Sequence, residues 1–131
     1  MNIRLSIMTP EQVFWNQPVE EIILPTNSGK MGVLYDHADL ITAIEIGVMS
    51  IRSNGSWQNI ALENGFATVH NDRVTVLVNS AESKESIDFA QADQEFIKTS
   101  EALNKATDKK SRIEANLAFK RARARYLVAA D

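Results

Sequence analysis

The chain contains no cysteine among its 131 residues. This absence excludes a disulfide scaffold, a cysteine nucleophile and any metal or iron–sulfur site with thiolate ligands. Only two histidines are present, His37 and His70, so a histidine-rich metal site has few candidate ligands. No apolar run approaches the roughly 20 residues that a membrane-spanning helix needs. The 44% hydrophobic and 24% charged residues are typical of an ordinary globular protein.

Proline and glycine are also missing from the second half of the chain. All three prolines lie at or before Pro25, and all five glycines lie at or before Gly65. Turns use these residues, whereas the interiors of helices exclude them. The sequence therefore predicts strands and turns first and helices last.

The first part of the chain predicts short strands. Apolar residues alternate with polar ones over residues 3–7, and Val74, Val76 and Val78 lie on one face of a later extended segment. Residues 19–24 predict a further strand that ends at Pro25, and the apolar runs on either side of Gly47 predict a bulge or bend there. Strands at this spacing predict an antiparallel β-sandwich or barrel.

Asparagine-containing pairs predict the turns between these strands. Asn54-Gly55 is typical of a two-residue hairpin, because both residues tolerate the positive φ angles that such a turn requires. Asn64-Gly65 and Asn71-Asp72 predict two more turns.

Beyond residue 86 the apolar residues change to helical spacing. Phe89, Ala92 and Phe96 recur on one face of a first helix, and Ser86 or Asp88 is suited to cap its start. A polar break precedes a second helix that runs from about residue 111 to residue 128. Two helices joined by so short a turn pair as an antiparallel hairpin. The sequence thus predicts an all-β antiparallel sandwich over residues 1–86, followed by an α-helical hairpin over residues 87–131.

Charge changes sign near the end of the chain. Residues 1–81 and residues 82–108 each carry −4, whereas residues 109–131 carry +5. The opposite charges of the two helices favour their pairing. Arg121 and Arg125 share one helical face, and Arg123 points away toward another subunit. This basic run is either a solvated face, a nucleic-acid contact or a docking surface for an acidic protein; the acidic remainder of the chain disfavours nucleic acid.

Two segments carry residue types that are typical of ligand-binding or catalytic sites. The segment over residues 26–30 resembles the end of a phosphate-binding P-loop, but it has Leu24 and Met31 where that loop needs glycine and a hydroxyl residue. Asp36, His37 and Asp39 form the one cluster of histidine and carboxylates, and they define an alternative as a small enzyme. A second alternative is a free-standing sandwich module that binds a peptide or sugar and has a helical oligomerisation tail.

Several segments together resemble a known family. Residues 24–34 (LPTNSGKMGVL), followed by His37-Ala38 and residues 40–42, resemble the hallmark loop of the epsilon subunit of F-type ATP synthases. Residues 46–49, 65–67 and 113–118, which lead into Arg121-Ala122-Arg123, are similar to the plastid-type members. The resemblance covers essentially the whole chain.

The resemblance implies a non-catalytic rotor subunit without cofactor or metal. In this family the sandwich binds the gamma subunit and the ring of c subunits, and the helical hairpin brakes ATP hydrolysis. The contact loop then includes Met31, Val33, Tyr35 and His37. The inhibitory residues, which face acidic segments of the alpha and beta subunits, are Arg121, Arg123 and Arg125. The implied location is the stromal side of the chloroplast thylakoid membrane, or the cytoplasmic side of a bacterial or cyanobacterial membrane.

Some bacterial relatives bind ATP through an Ile-Asp-x-x-Arg-Ala motif and two arginines of the second helix. Here Asp88, Arg121 and Arg125 match that set, but Gln91 stands where the motif has arginine. Loss of one charged contact costs about 1.5–3 kcal/mol, so we expect ATP binding to be weak or absent.

Overall fold

A computed structural model describes all residues from Met1 to Asp131. Ten β-strands precede two α-helices, as the distribution of glycine and proline predicts. The strands are β1 Ile3–Met8, β2 Val13–Val19, β3 Glu21–Thr26, β4 Gly29–Val33, β5 Leu40–Ile44, β6 Gly47–Ser53, β7 Ser56–Leu62, β8 Gly65–His70, β9 Arg73–Val78 and β10 Ala81–Ser83. A 3-10 turn at Lys84–Ser86 leads into α1 Phe89–Lys105 and α2 Lys109–Ala130.

The strands form one continuous folded sheet in the order β10-β7-β6-β3-β5-β8-β9-β1-β2, with β4 paired to β3. This arrangement confirms the predicted β-sandwich followed by a helical hairpin. One pairing departs from the prediction, because β1 runs parallel to β9. A local turn fixes the direction of neighbouring strands, but no turn joins these two, which lie far apart in the sequence.

The core of the sandwich consists of 17 buried apolar residues contributed by alternate positions of the strands. Ile22 of β3 and Ile51 of β6, for example, are cross-strand partners, and both are fully buried. Burial of each such side chain contributes about 1.5–3 kcal/mol, so the sandwich has a core that stabilises it without the helices.

Two of the three predicted turns are confirmed by their backbone angles. Asn54 and Gly55 have φ angles of 53° and 78°, and Asn71 and Asp72 have φ angles of 49° and 59°. The third prediction holds for Asn64, which lies in the two-residue connection between β7 and β8, but Gly65 is already the first residue of β8. A Cβ atom there would be 1.9 Å from the carbonyl oxygen of Leu77, so glycine allows the close approach of two backbones.

Three predicted strand and helix boundaries also need correction. Val19 ends β2 rather than beginning the next strand, and β3 continues through Pro25 to Thr26. The second helix begins at Lys109, two residues before the predicted start. Asp108 caps it by accepting a hydrogen bond from the backbone N–H of Ser111 at 3.2 Å. Asp88 caps α1 in the same way, through the N–H of Ala90 at 3.0 Å.

Aromatic contacts join the two helices. The ring centroid of Phe96 lies 5.7 Å from that of Phe119 and 4.8 Å from that of Tyr126, which also contacts Phe89. None of the five ion pairs of the structure links α1 to α2. The cations of α2 that form ion pairs contact the β-domain instead, so the direct contacts between the two helices are aromatic and apolar.

The hairpin is docked on the sandwich. Ala124, Val128 and Ala129 of α2 are buried in a small cluster with Ala61 of β7 and Ile87. Neither helix combines the length and apolar character that crossing a bilayer demands.

Candidate interaction surfaces

An apolar row crosses the outer face of the sheet. Ala43, Phe66, Leu77, Met8 and Val13 are successive cross-strand partners on β5, β8, β9, β1 and β2. The exposed fractions of Phe66 and Val13 are 49% and 59%. A contiguous apolar patch on the surface of a monomer indicates an interaction site. This row is not among the surfaces predicted from the sequence, although Phe66 and Leu77 are apolar residues at outward-facing positions of their strands.

The predicted contact loop is divided between a strand and a loop. Met31 and Val33 lie in β4, and Val33 is only 1% exposed because it belongs to the core. Its side chain therefore does not reach the surface, which corrects the placement of both residues in a loop. Tyr35 lies in the loop after β4 and is 46% exposed, and His37 in the same loop is half-buried.

Hydrogen bonds order this loop. Asp36 has a φ angle of 67°, and its N–H donates to a carboxylate oxygen of Asp72. The N–H of His37 donates to the carbonyl oxygen of Leu34 at 3.2 Å. These hydrogen bonds connect the loop after β4 to the turn between β8 and β9. They fix the position of Tyr35 at that end of the sandwich.

Asp36, His37 and Asp39 do not converge. Nδ1 of His37 lies 2.8 Å from the carbonyl oxygen of its neighbour Ala38. Asp39 accepts a hydrogen bond from Nδ1 of His70 at 2.7 Å, and this bond lowers the pKa of the Asp39 carboxyl from its usual value. No three His, Asp or Glu side chains of the structure are grouped so that they can hold a metal ion. The geometry thus offers no support for the interpretation as a small enzyme.

Two ion pairs join Arg121 and Arg125 of α2 to the β-domain. Nε of Arg121 lies 3.1 Å from the carboxylate of Glu63. Arg125 donates two hydrogen bonds to Glu82, from Nε at 2.8 Å and from Nη2 at 3.2 Å. As predicted from helical spacing, Arg121 and Arg125 share a face. Arg123 does not, and its guanidinium lies 5.5 Å from the ring centroid of Phe119.

Two further contacts hold the last residues of α2 against the sandwich. Nδ2 of Asn59 in β7 donates to the Asp131 carboxylate at 2.7 Å. Nζ of Lys84 donates to the main-chain oxygen of Asp131. These polar contacts lie at the border of the alanine-rich cluster and fix the docked position of the hairpin.

The residues that match a nucleotide motif are already engaged in this position. Asp88 is the N-cap of α1. The cavity beside Arg121, Arg125, Glu63 and Glu82 has a volume of only about 20 Å³. Sites for drug-sized ligands typically enclose several hundred Å³, so the docked hairpin leaves no room for a nucleotide there.

Family models match both halves of the chain. The beta-sandwich domain of the ATP synthase delta/epsilon chain matches residues 2–84, and the long alpha-helix domain of the same chain matches residues 85–130. The chain belongs to the ATP synthase delta/epsilon family.

Curated members of this family are similar over their whole length. The chloroplastic ATP synthase epsilon chain of Tupiella akineta is 58% identical over 126 residues, which are 96% of this chain and 97% of that protein. The corresponding chain of Oltmannsiellopsis viridis is 52% identical over 128 residues, 98% of each protein. The resemblance to ATP synthase epsilon subunits is thereby confirmed. By family the chain is an epsilon-type, non-catalytic subunit of ATP synthase.

Solved ATP synthase structures share the fold. A chain of the Euglena gracilis mitochondrial ATP synthase (OSCP/F1/c-ring) aligns with a TM-score of 0.83 at 24% identity, over 98% of this chain and 81% of that one. A chain of the Tetrahymena thermophila mitochondrial ATP synthase (central stalk/c-ring) aligns with a TM-score of 0.68 at 13% identity, over 98% and 97%. The family fold is thus retained despite low sequence identity.

Proposed function

We propose that this chain is a rotor component of a chloroplast ATP synthase. Its β-domain, residues 1–86, joins the gamma subunit to the ring of c subunits. Its helical hairpin, residues 87–131, regulates ATP hydrolysis. The observation that carries this proposal is the apolar row of Ala43, Phe66, Leu77, Met8 and Val13, because a sandwich with its own buried core has no internal use for a second apolar face.

The gamma subunit is assigned to the apolar row. The row spans five adjacent strands, so it presents a flat, rigid strip rather than a pocket. Such a strip fits the side of a long helical partner, and the stiffness of a hydrogen-bonded sheet suits transmission of torque. Interface cores are rich in aromatic and aliphatic anchors, and Phe66 and Leu77 are the central pair of the row.

The c-ring is assigned to the loop after β4. Leu34 and Tyr35 project exposed apolar surface there, and His37 lies beside them. Met31 is half-buried against the core and supports the loop from β4. Val33 is left out of the contact, since its side chain is buried, and its role is to anchor the strand.

We assign the docked position of the hairpin to the state of the subunit that does not inhibit ATP hydrolysis. In this state Glu63 and Glu82 neutralise Arg121 and Arg125, so these two cations are withheld from other partners. On release, Arg121 and Arg125 join Arg123, which forms no ion pair in the docked state, in contacting acidic segments of the alpha and beta subunits. Exposed ion pairs contribute about 0–1 kcal/mol each, and the apolar cluster under the hairpin is small. The free-energy difference between the docked and released hairpin is therefore small enough for a switch.

The chloroplastic relatives support a chloroplast location, and within it we place the chain on the stromal side of the thylakoid membrane, held there by the complex. A bacterial or cyanobacterial membrane is the alternative. ATP binding by Asp88, Arg121 and Arg125 is assigned as weak or absent, because capping and ion pairing already engage all three side chains.

Co-purification with a gamma subunit tests the role of the apolar row. A Phe66→Ser, Leu77→Ser variant should lose at least about tenfold in affinity for gamma, because two apolar anchors leave the centre of the interface. Trp57→Ser is the matched control, since Trp57 is equally exposed but lies on β7, outside the row. Equal retention of gamma by wild type and by the double variant would contradict the proposal.

A further inference from the structure

A cleft separates α2 from the turns at one end of the sandwich. Its volume is about 500 Å³, between the β3–β4 turn, the β5–β6 turn and one side of α2. It lies on the side of α2 that carries Lys120 and Arg123. Arg121 and Arg125, which form the ion pairs of that helix, do not line it. Its volume is in the range of small-molecule sites.

Three cations line this cleft without an anionic partner. Lys30 extends from β4, and Lys120 and Arg123 extend from α2. None of the three is among the five ion pairs of the structure, in contrast to Arg121 and Arg125 of the same helix. One carboxylate, Glu45, also lines the cleft, so its walls carry a net charge of +2. An excess of positive charge in a concave site attracts multivalent anions.

The remaining surface of the cleft is mixed. Thr26 and Asn27 supply polar groups at the β3–β4 turn, while Val48 and Leu127 supply an apolar floor. Arginine and lysine together are a typical pair for phosphate groups, since arginine donates in a fork and lysine acts as a point charge. The three cations attract an anion while Glu45 repels it. This balance favours an anion with several negative charges over a singly charged one.

We propose that this cleft binds a small anion with two or more phosphate groups. The site does not include Arg121 or Arg125, the two cations of α2 that form ion pairs. Binding requires no partner subunit. Because α2 forms one wall and the sandwich forms the other, an occupant stabilises the docked hairpin. This last consequence, that the ligand would restrain the switch, rests on the proposed function, whereas the binding itself does not.

A titration of the isotope-labelled full chain with sodium tripolyphosphate, at constant ionic strength, tests the proposal by NMR. The amide signals of residues 27–30, 45–48 and 120–127 should shift together and saturate, with half-saturation on the order of 1 mM. Uniform small shifts at cations all over the surface, for example at Arg4 and Arg73, would overturn the proposal, because they report screening alone.

Charge variants provide the specificity test. Lys120→Gln with Arg123→Gln should weaken tripolyphosphate binding at least about tenfold, because two of three cations are removed. Lys98→Gln with Arg73→Gln removes the same charges outside the cleft, and it should keep the wild-type affinity within about twofold. Equal affinity of the two double variants would overturn the proposal.

Glu45→Gln supplies a gain of affinity, which loss of folding cannot mimic. Removal of the one carboxylate in the cleft should tighten binding about threefold, since repulsion at the site is relieved. Weaker or unchanged binding by this variant would contradict the assignment. If tripolyphosphate binds as described while gamma does not bind the apolar row, the proposed function fails and the binding site stands.

Discussion

Arg125 of α2 holds Glu82 of β10 through two hydrogen bonds, from Nε at 2.8 Å and from Nη2 at 3.2 Å. The contact joins residues 43 positions apart in the sequence and connects the helical hairpin to the edge of the sheet. Paired guanidinium–carboxylate hydrogen bonds fix orientation as well as distance. The contact therefore sets where α2 lies on the sandwich.

The two partners of this ion pair should have opposite effects on ATP hydrolysis by the reconstituted complex. Glu82→Gln releases the hairpin but leaves its cations intact. With about 1 kcal/mol lost from docking, the population of the released state rises roughly fivefold, and hydrolysis should fall. Arg125→Gln also weakens docking but removes an inhibitory cation, so hydrolysis should not fall. Glu85→Gln is the control, because Glu85 is exposed and unpaired. A fall of similar size in all three variants would contradict the switch.

Neutralisation of the three arginines at positions 121, 123 and 125 should remove the brake. Arg121→Gln, Arg123→Gln and Arg125→Gln together should raise ATP hydrolysis several-fold, because the contacts to acidic segments are lost, while assembly with gamma is unchanged. The control neutralises Lys98 and Lys105 of α1 and Lys110 at the start of α2, which lie on the hairpin outside residues 121–125. Hydrolysis rates of the purified complexes provide the comparison, and an unchanged rate in the arginine variant would remove the inhibitory role.

The isolated chain should not bind ATP at micromolar concentrations. Gln91 lacks the charge of the arginine in the bacterial motif, and Glu63 and Glu82 already engage Arg121 and Arg125. Isothermal titration calorimetry with micromolar ATP should therefore give only heat of dilution. Saturable heat in that range would overturn this prediction.

The pair of Asp39 and His70 makes the pH response of one carboxyl predictable. The hydrogen bond from His70 holds the pKa of Asp39 below the usual 3.8. Because the pKa is lowered on folding, the contribution to stability is present above the unfolded pKa, and it is lost as pH falls through the folded pKa. His70→Ala should raise the pKa of Asp39 toward 3.8 and remove this acid-dependent loss.

Carboxyl carbon shifts in NMR provide the measurement for Asp39. His37→Ala is the matched control, because the ring of His37 contacts the carbonyl oxygen of Ala38 and not Asp39. An Asp39 pKa that stays low without His70 would mean that the N–H of Asn71, which lies 3.4 Å from the carboxylate, is the dominant cause.

Local chemistry made much of the fold predictable from the sequence. The turns at Asn54-Gly55 and Asn71-Asp72 depend on backbone angles that few residue types tolerate, and the cap at Asp88 depends on a short polar side chain. These signals act within a few residues. The parallel pairing of β1 with β9 depends on how distant strands meet, so no local pattern carried it.

The interaction surfaces were less predictable for the same reason. Phe66 and Leu77 become an exposed row only when β8 and β9 pair in one register, and the alternation in each strand does not say which face is covered. Val33 is part of the predicted contact loop. Its place in a strand depends on the pairing of β4 with β3. Helical spacing did predict that Arg121 and Arg125 act together, but their acidic partners lie 58 and 43 residues away.

The parallel contact between β1 and β9 has a consequence for biosynthesis. β1 can pair with β2 as soon as both leave the ribosome, but its other edge remains open until β9 has also emerged. Leu5 and Ile7 therefore stay accessible to chaperones and to other nascent chains until more than half of the polypeptide has been translated.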